Sequence, residues 1–253
     1  MSIDINTIHQ GDCLELMKDI PDGSVDMILA DLPYGTTACK WDTLIPFEPL
    51  WEQYKRIIKP NGAIVLTASQ PFTSALVMSN PKMFKYSWYW HKSPTGFLNA
   101  KKMPMKSVED VLVFYKAQPQ YNPQGLVRVN KVVKNHKTKS TKGIIGLSTH
   151  NGGRLSGEYI QEYTNYPTQL LSFPNIKGYH PTQKPVALFE YLIKTYTNEG
   201  GLVLDNVAGS GTTGVACQNL NRNFILMEQE PEYVEIIKKR LELNKERRND
   251  QSS

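Results

Sequence analysis

The chain has 253 residues, of which 40% are hydrophobic and 21% are charged, a composition typical of globular proteins. No apolar run is long enough for a transmembrane helix, and the N-terminus lacks the basic and apolar regions of a secretory signal. We therefore predict a cytoplasmic protein without a membrane partner. The net charge of +5 allows a polyanionic partner but does not require one.

The three cysteines are odd in number and far apart, at Cys13, Cys39 and Cys217. They lack any Cys-x-x-Cys spacing. This pattern indicates reduced thiols, and it favours neither a disulfide framework nor a zinc site.

Short apolar runs alternate with segments of helical spacing through the first 120 residues. We predict, in chain order, a strand over residues 8–12, a helix over 14–20, a strand over 25–30, a helix over 47–58, a strand over 63–68, a helix over 73–78 and strands over 86–91 and 110–115. This alternation is typical of an α/β fold with a parallel sheet and right-handed crossovers.

Residues 121–176 interrupt the alternation with a basic, glycine-rich segment in which no long periodic pattern emerges. Its basic residues include Arg128, Lys131, Lys134, Lys137, Lys139, Lys142 and Arg154. One interpretation is a solvated, partly disordered insertion. The other is a module that contacts the phosphates of a nucleic acid.

The α/β pattern resumes after this segment. We predict a helix over residues 185–196, a strand over 201–205, a helix over 211–220, a strand over 223–228 and a helix over 231–243. The polar residues 244–253 are expected to be frayed.

A first candidate site follows the strand at residues 25–30. Asp31, Pro33 and Tyr34 come directly after it, and Pro33 cannot continue the hydrogen-bond ladder of a sheet. Ligands of open α/β sheets bind at the carboxyl ends of the strands. On its own, the stretch fits a strand-to-loop turn with a capping aspartate equally well.

A second candidate site is the glycine-rich loop from Asp205 to Gly214. It is no phosphate-binding Walker loop, because no lysine follows Gly211, and it meets the nicotinamide-binding fingerprint only loosely. Glu228 ends the next strand, where a carboxylate can accept ribose hydroxyl protons. The alternative for Glu228 is an exposed acid that begins a turn.

The third candidate is His180-Pro-Thr-Gln-Lys-Pro185, where two prolines fix the backbone ahead of a helix. Thr182, Gln183 and Lys184 are then available to a ligand. His180 has no partner histidine or cysteine at ligand spacing, so we interpret it as structural and predict no metal site.

These three motifs resemble those of the DNA amino methyltransferases. Asp-Leu-Pro-Tyr is similar to that family's Asp-Pro-Pro-Tyr, with Leu32 in place of a proline. The glycine loop resembles Asp-x-x-x-Gly-x-Gly-Thr-Thr, with Asn206 and Val207 where Pro-Phe is usual, and the third motif matches His-Pro-Thr-x-Lys-Pro. Their order along the chain resembles the permuted arrangement of the family's beta group, and only the basic segment lies outside the resemblance.

The resemblance implies a Rossmann-like methyltransferase fold, circularly permuted, with a mostly parallel seven-stranded sheet and helices on both faces. It implies a catalytic half of the core at residues 1–120, a target-recognition insertion at 121–176 and a cofactor-binding half at 177–253. The implied cofactor is S-adenosyl-L-methionine. The residues expected to bind it are Asp12, Cys13, Asp31, Thr182, Lys184, Asp205, Asn206, Ala208, Gly209, Ser210, Gly211, Thr212, Thr213 and Glu228.

Specific roles also follow from the resemblance. Lys184 would pair with the methionine carboxylate of the cofactor, with a hydrogen bond from Thr182, and Asp12 would contact the cofactor adenine. Asp31, Pro33 and Tyr34 would be catalytic.

The implied reaction is methylation of the N6 amine of an adenine flipped out of a specific duplex sequence. Members with aspartate or asparagine at the Asp31 position mostly methylate adenine N6, whereas serine is usual for cytosine N4. The alternatives are a cytosine-N4 methyltransferase, an RNA methyltransferase and a catalytically silent DNA-binding homologue.

The implied partner is double-stranded DNA. The residues expected to contact it are Lys92, Arg128, Lys131, Lys134, Lys137, Lys139 and Arg154. Trp41 is a secondary candidate for the target pocket, although packing explains it equally well. A homodimer and a cognate restriction endonuclease are further partners that the resemblance leaves open.

Overall fold

The computed structural model describes residues 3–35, 43–95, 97–135, 157–175 and 183–252. Two compact units are present, one formed by residues 1–122 with 168–253 and the other by residues 123–167. The larger unit contains both halves of the predicted core. The smaller unit lies within the segment that we predicted as an insertion.

The strands are β1 (Thr7–Gln10), β2 (Val25–Ala30), β3 (Ile58–Ala68), β4 (Phe84–Thr95), β5 (Lys106–Phe114), β6 (Val127–Asn135), β7 (Gly157–Thr164), β8 (Leu170–Ser172), β9 (Leu202–Asp205) and β10 (Asn223–Glu228). The α-helices are α1 (Cys13–Leu16), α2 (Phe47–Ile57), α3 (Phe72–Ser79), α4 (Val186–Tyr196), α5 (Thr212–Asn219) and α6 (Pro231–Ser252). Short 3₁₀ helices lie at Met17–Asp19 and Phe97–Asn99.

The larger unit is built on one sheet of eight strands in the order β1-β10-β9-β2-β3-β5-β4-β8. Every neighbouring pair is parallel except the two that involve β5. The expected mostly parallel sheet is therefore confirmed, with one strand more than the seven expected. The strand without a sequence prediction is β8, which has three residues, of which only Leu171 is buried.

The central strand β2 shows why helices cover both faces of this sheet. Ile28 and Ala30 pack into one hydrophobic cluster, and the alternate residues Met27 and Leu29 pack into the other. Helices α2 and α3 supply residues to the first cluster, and α4, α5 and α6 supply residues to the second. None of the described helices combines the length and apolarity needed to cross a membrane.

The smaller unit contains an antiparallel pair, β6 and β7, where we had found no periodic pattern. The reason is an irregularity between Arg128 and Lys131, at which Asn130 adopts a φ of 45° and the alternation of faces is broken. Directly opposite residues share a face of such a pair. Arg128 and Lys131 therefore lie on the same face, opposite Tyr163 and Gln161.

The tail that we expected to be frayed is helical, since α6 runs to Ser252. Its polar side chains bind the region around the end of α5. Asn244 Nδ2 donates to the amide oxygens of Gln218 and Asn219, each at 2.9 Å, and Arg248 Nη2 donates to Asn221 Oδ1 at 2.6 Å. The sequence alone does not reveal these tertiary hydrogen bonds.

Candidate active site

A cavity of about 690 Å³ lies at the carboxyl ends of β1, β2, β9 and β10. These strands are parallel, so the residues that follow them meet at one edge of the sheet. The cavity brings together most of the predicted site, namely Asp12, Cys13, Asp31, Pro33, Tyr34, Lys92, Lys184, Asp205, Asn206, Ala208, Gly209, Ser210, Thr212 and Glu228. Gly211 and Thr213 belong to the same glycine loop but do not line the cavity.

The carboxylate of Asp31 accepts three hydrogen bonds, two on one oxygen and one on the other. Its Oδ1 accepts from the Tyr34 hydroxyl at 2.8 Å and from the hydroxyl of Thr67, and its Oδ2 accepts from Lys184 Nζ at 2.5 Å. Burial raises the pKa of Asp31, but the charge of Lys184 and the three hydrogen bonds outweigh burial and hold that pKa below its usual range. Asp31 is therefore an ionised acceptor at the edge of the sheet.

Lys184 lies just before α4, and only 7% of its side chain is exposed. Besides the contact with Asp31, its Nζ is 3.7 Å from Oε2 of Glu109. Burial lowers the pKa of Lys184, but the charges of Asp31 and Glu109 outweigh it and leave the pKa raised. We had expected this ammonium beside the methionine carboxylate of a cofactor, and the structure places it on the predicted catalytic acid.

Tyr34 stacks on Phe72, with ring centroids 5.1 Å apart and an angle of 24° between the rings. Lys184 Nζ lies 6.0 Å from the Tyr34 ring centroid. Burial and the negative charges of Asp31 and Glu109 raise the pKa of Tyr34 well above its usual value. Its hydroxyl is therefore a donor to Asp31 at any physiological pH.

The glycine loop turns through two left-handed residues, Gly209 with φ 54° and Gly211 with φ 77°. A side chain at either position would be strained. At Gly211 a Cβ would also lie 3.1 Å from Ile237. These two glycines allow the chain to pass directly from β9 into α5.

Glu228 fastens this loop to the end of β10. Its Oε2 accepts from the backbone N–H of Gly209 at 2.8 Å, and its Oε1 accepts from the N–H groups of Gln229 and Glu230 at 2.9 and 3.0 Å. Burial raises the pKa of Glu228, and these hydrogen bonds offset part of that effect. A carboxylate offers about four acceptor positions, so capacity for a ligand hydroxyl remains.

Asp205 and Asn206 are buried within the loop rather than projecting from it. Asp205 accepts from Thr213 Oγ1 at 2.5 Å and from the Val207 N–H at 3.2 Å. The amide oxygen of Asn206 accepts from the Tyr54 hydroxyl at 2.6 Å. Burial raises the pKa of Asp205 to about 7, against the opposing effect of its two hydrogen bonds.

Acids outnumber ammonium groups around the cavity although the whole chain is positive. Two ammonium groups, Lys92 and Lys184, face the six acids Asp12, Asp31, Glu109, Asp205, Glu228 and Glu230 among the described lining residues. The sulfonium of S-adenosyl-L-methionine is cationic, and Glu228 can accept hydrogen bonds from the hydroxyls of its nucleoside. The donor set therefore fits this cofactor. Within the described ranges, no three histidine, cysteine, aspartate or glutamate side chains form a group that could hold a metal ion.

The predicted DNA contacts are divided between the two units. Lys92 is only 11% exposed and pairs with Glu109, so it lies in the cavity rather than on a surface open to phosphates. Arg128, Lys131 and Lys134 are exposed on β6 in the smaller unit, where Lys134 pairs with Glu158 at 3.0 Å. Several predicted residues lie outside the described part of the chain: Cys39, Trp41, Lys137, Lys139, Lys142, Arg154, His180 and Thr182.

A model of the DNA methylase family matches residues 25–239. The chain belongs to the DNA methylase family. The matched span contains β2, the Asp31 motif, the smaller unit and the glycine loop. Members of this family carry out methyl transfer, and the cofactor of the chain is S-adenosyl-L-methionine.

Three comparisons illustrate the similarity. The chain is 51% identical to the type II methyltransferase M2.DpnII of Streptococcus pneumoniae, covering 93% of this chain and 89% of that protein. It is 30% identical to the DNA adenine methyltransferase YhdJ of Escherichia coli K12, covering 94% and 83%. The crystal structure of the M1.HpyAVI–SAM complex superposes with a TM-score of 0.62 at 29% identity, covering 93% and 99%.

The sequence analysis missed several residues of the site, among them Thr67, Phe72 and Glu109. Thr67 is the last residue but one of β3, the strand beside β2, and it follows Leu66, which pairs with Ala30 at the end of β2. Glu109 lies near the start of β5, which runs antiparallel to β3. Its only signal is an acid next to a strongly apolar run, and nothing in the sequence gives the direction of the strand.

The raised pKa of Asp205 predicts a pH-dependent stability. An unfolded Asp titrates near pH 4 and this folded one at about 7, so the folded state binds more protons in between. Its contribution to the free energy of unfolding therefore falls as pH rises from about 4 to about 7. The Asp205→Asn variant should lose this contribution, and its Tm, measured by thermal unfolding between pH 5 and 8, should decline less with pH than that of wild type.

The matched control for this prediction is Asp19→Asn, at an exposed position of the 3₁₀ helix. This variant should follow the wild-type curve. At each pH the Tm of wild type is subtracted from that of the variant. This difference cancels the pH dependence that both proteins share, including that from Glu228, whose pKa is also raised, and from Asp31, whose pKa is lowered. Parallel Tm curves for wild type and Asp205→Asn would contradict the assignment.

Proposed function

We propose that this chain transfers a methyl group from S-adenosyl-L-methionine to the N6 amine of an adenine flipped out of a specific sequence of duplex DNA. The observation that carries the proposal is the ionised Asp31 carboxylate, which lies in the same cavity as the glycine loop and Glu228. The family membership supplies the methyltransferase reaction. The base, the amine and the duplex substrate are the proposal.

The target amine is a weak nucleophile because its lone pair is conjugated into the ring. When bound, the cofactor supplies an electrophilic methyl group, whose bond to sulfur breaks as the bond to nitrogen forms. Asp31 accepts one N–H of the amine, and main-chain carbonyls near Leu32 and Pro33 accept the other. These acceptors stabilise the positive charge that develops on nitrogen.

The pKa of Asp31 determines what kind of catalyst it is. A carboxylate whose pKa lies below its usual range holds a proton poorly but stabilises a neighbouring cation well. Asp31 therefore acts on the developing charge as an anion, and the proton that the nitrogen loses passes on to water. Tyr34 and Thr67 hold its Oδ1 and fix the direction of Oδ2.

The amine of a base stacked in a duplex cannot reach this cavity, so the base must leave the helix. Tyr34 offers an aromatic surface for it, with Phe72 stacked behind one face of the ring. Holding the amine, methyl carbon and sulfur in line supplies much of the remaining acceleration.

Adenine is favoured over cytosine on two grounds. The first is Asp31, because aspartate at this position accompanies methylation of adenine N6 among these methyltransferases. The second is that one relative is named as a DNA adenine methyltransferase. The second candidate is cytosine N4, because the family model is designated for both kinds of amine. The digested product distinguishes the two directly.

Asp31→Ala should lower the rate of methyl transfer by about 10²–10⁴-fold, because it removes the acceptor that stabilises the transition state. Cofactor affinity should change little by comparison. The measurement is transfer from labelled cofactor to unmethylated genomic DNA, followed by digestion to nucleosides and titration of cofactor binding. Wild type should yield N6-methyladenine.

The control for this experiment is Asp19→Asn, at an exposed position outside the cavity, which should retain wild-type transfer. If the product is N4-methylcytosine, the target base is cytosine, the second candidate, and not adenine. Label in RNA in preference to duplex DNA would reject the proposed substrate. Cofactor binding without transfer to any nucleic acid would indicate a silent homologue.

Arg128→Ala combined with Lys131→Ala should raise the Kd for duplex DNA about tenfold at low salt and lower the slope of log Kd against log salt by about 2, since two phosphate contacts are lost. Fluorescence anisotropy at several salt concentrations measures both quantities. Lys134→Ala is the matched control on the same strand, and its effect should be smaller because Glu158 already pairs with Lys134. An equal loss in the control would contradict the assignment.

A further inference from the structure

A second acid, Glu109, lies beside Lys184 in the cavity. It is on β5, opposite Trp90 of β4, and only 9% of its surface is exposed. Its Oε1 pairs with Lys92 Nζ. Its Oε2 is buried without a hydrogen-bond partner in the described part of the chain, and Lys184 Nζ lies 3.7 Å away. A buried carboxylate oxygen without a donor costs free energy, so this oxygen is poised to accept one.

The hydrogen bonds of Asp31 create a requirement that Glu109 can meet. Oδ1 already accepts two hydroxyls, and Oδ2 accepts the Lys184 ammonium and keeps one acceptor position for a substrate. While it stays there, the ammonium offsets the negative charge that would stabilise a cation developing on the amine nitrogen. Lys184 can withdraw from Asp31 only if its ammonium keeps a carboxylate partner, because an unpaired buried charge is strongly unfavourable.

Glu109 can provide that partner after a small movement. Shortening the 3.7 Å separation to an ordinary ionic hydrogen bond of about 2.8 Å needs a shift of about 1 Å of the flexible lysine side chain. Lys92 can stay on Oε1 throughout. Neither ammonium and neither acid is then left without a partner of opposite charge.

We propose that Glu109 is a positioning residue that takes the ammonium of Lys184 from Asp31 when the target amine enters, and so frees Oδ2 of Asp31 to accept the amine. The inference rests on the proposed function, because it needs an amine as the incoming group. It adds a residue that acts on the catalytic acid through Lys184 and touches neither the base nor the methyl group.

The test is Glu109→Gln, which keeps the shape of the side chain and removes its charge. In single-turnover methyl transfer at saturating cofactor and duplex DNA, the rate should fall about 10–100-fold, because Lys184 stays on Asp31. The Kd values for cofactor and DNA should change less than about threefold. The exposed Glu52→Gln on α2 is the matched control and should behave as wild type.

A double-mutant cycle with Lys184→Met distinguishes this role from a merely structural one. Without the lysine there is no ammonium to transfer, so adding Glu109→Gln should then change the single-turnover rate less than about threefold. With Lys92→Gln as the background, Glu109→Gln should still slow the reaction 10–100-fold. The reverse pattern would mean that Glu109 serves only to anchor Lys92, and would overturn the inference.

Other outcomes separate the inference from the proposed function. Wild-type enzyme that transfers no methyl group to DNA overturns the proposed function itself. Active wild type with an equally active Glu109→Gln overturns the inference alone, and would indicate that the cofactor carboxylate takes the ammonium of Lys184. If Glu109→Gln fails to bind cofactor or to unfold cooperatively, Glu109→Asp takes its place in the same cycle, since the shorter acid withdraws the carboxylate from Lys184.

Discussion

The ion pair between Asp31 and Lys184 joins two parts of the chain that are 153 residues apart. Asp31 follows the central strand of the sheet, and Lys184 precedes the helix that packs on one face of it. The pair is held by surrounding donors and acceptors: Tyr34 and Thr67 on Asp31, and Glu109 near Lys184. Removing Lys184 would take away the only ion-pair partner that Asp31 has in the described part of the chain, whereas removing Asp31 would leave the buried Lys184 with Glu109, 3.7 Å away.

The electrostatics of this cavity suit a cationic reaction. Acids outnumber ammonium groups around it, and the raised pKa of Asp205 arises partly from the charges of Asp31 and Glu228 nearby. Such a cavity would stabilise a bound sulfonium and, in the proposed reaction, the charge that passes to the target nitrogen.

The motifs at strand ends could be predicted from sequence because short apolar runs, prolines and glycines have strong local effects on the backbone. Asp31, Asp205 and Glu228 were placed at one sheet edge by this reasoning, and β2 and β10 were bounded as the structure has them. Glu109 could not be predicted, since its position depends on β5 running antiparallel. The same limit applied to β6, whose irregularity hides its alternation, and to the end of α6, which tertiary hydrogen bonds hold.

The division between rigid and adjustable parts follows from the sheet. Register pairs Met27 with Val203 and Ile28 with Leu204, so the backbones that deliver Asp31 and Asp205 are fixed relative to each other by strands buried on both faces. Hydrogen bonds in such strands leave little freedom to adapt when a base enters. Adjustment must therefore come from side chains, and a lysine between two carboxylates can move by about 1 Å with almost no change in total charge pairing. In the proposed reaction, a rigid frame with one mobile counter-ion would switch Asp31 between a closed pair and an open acceptor.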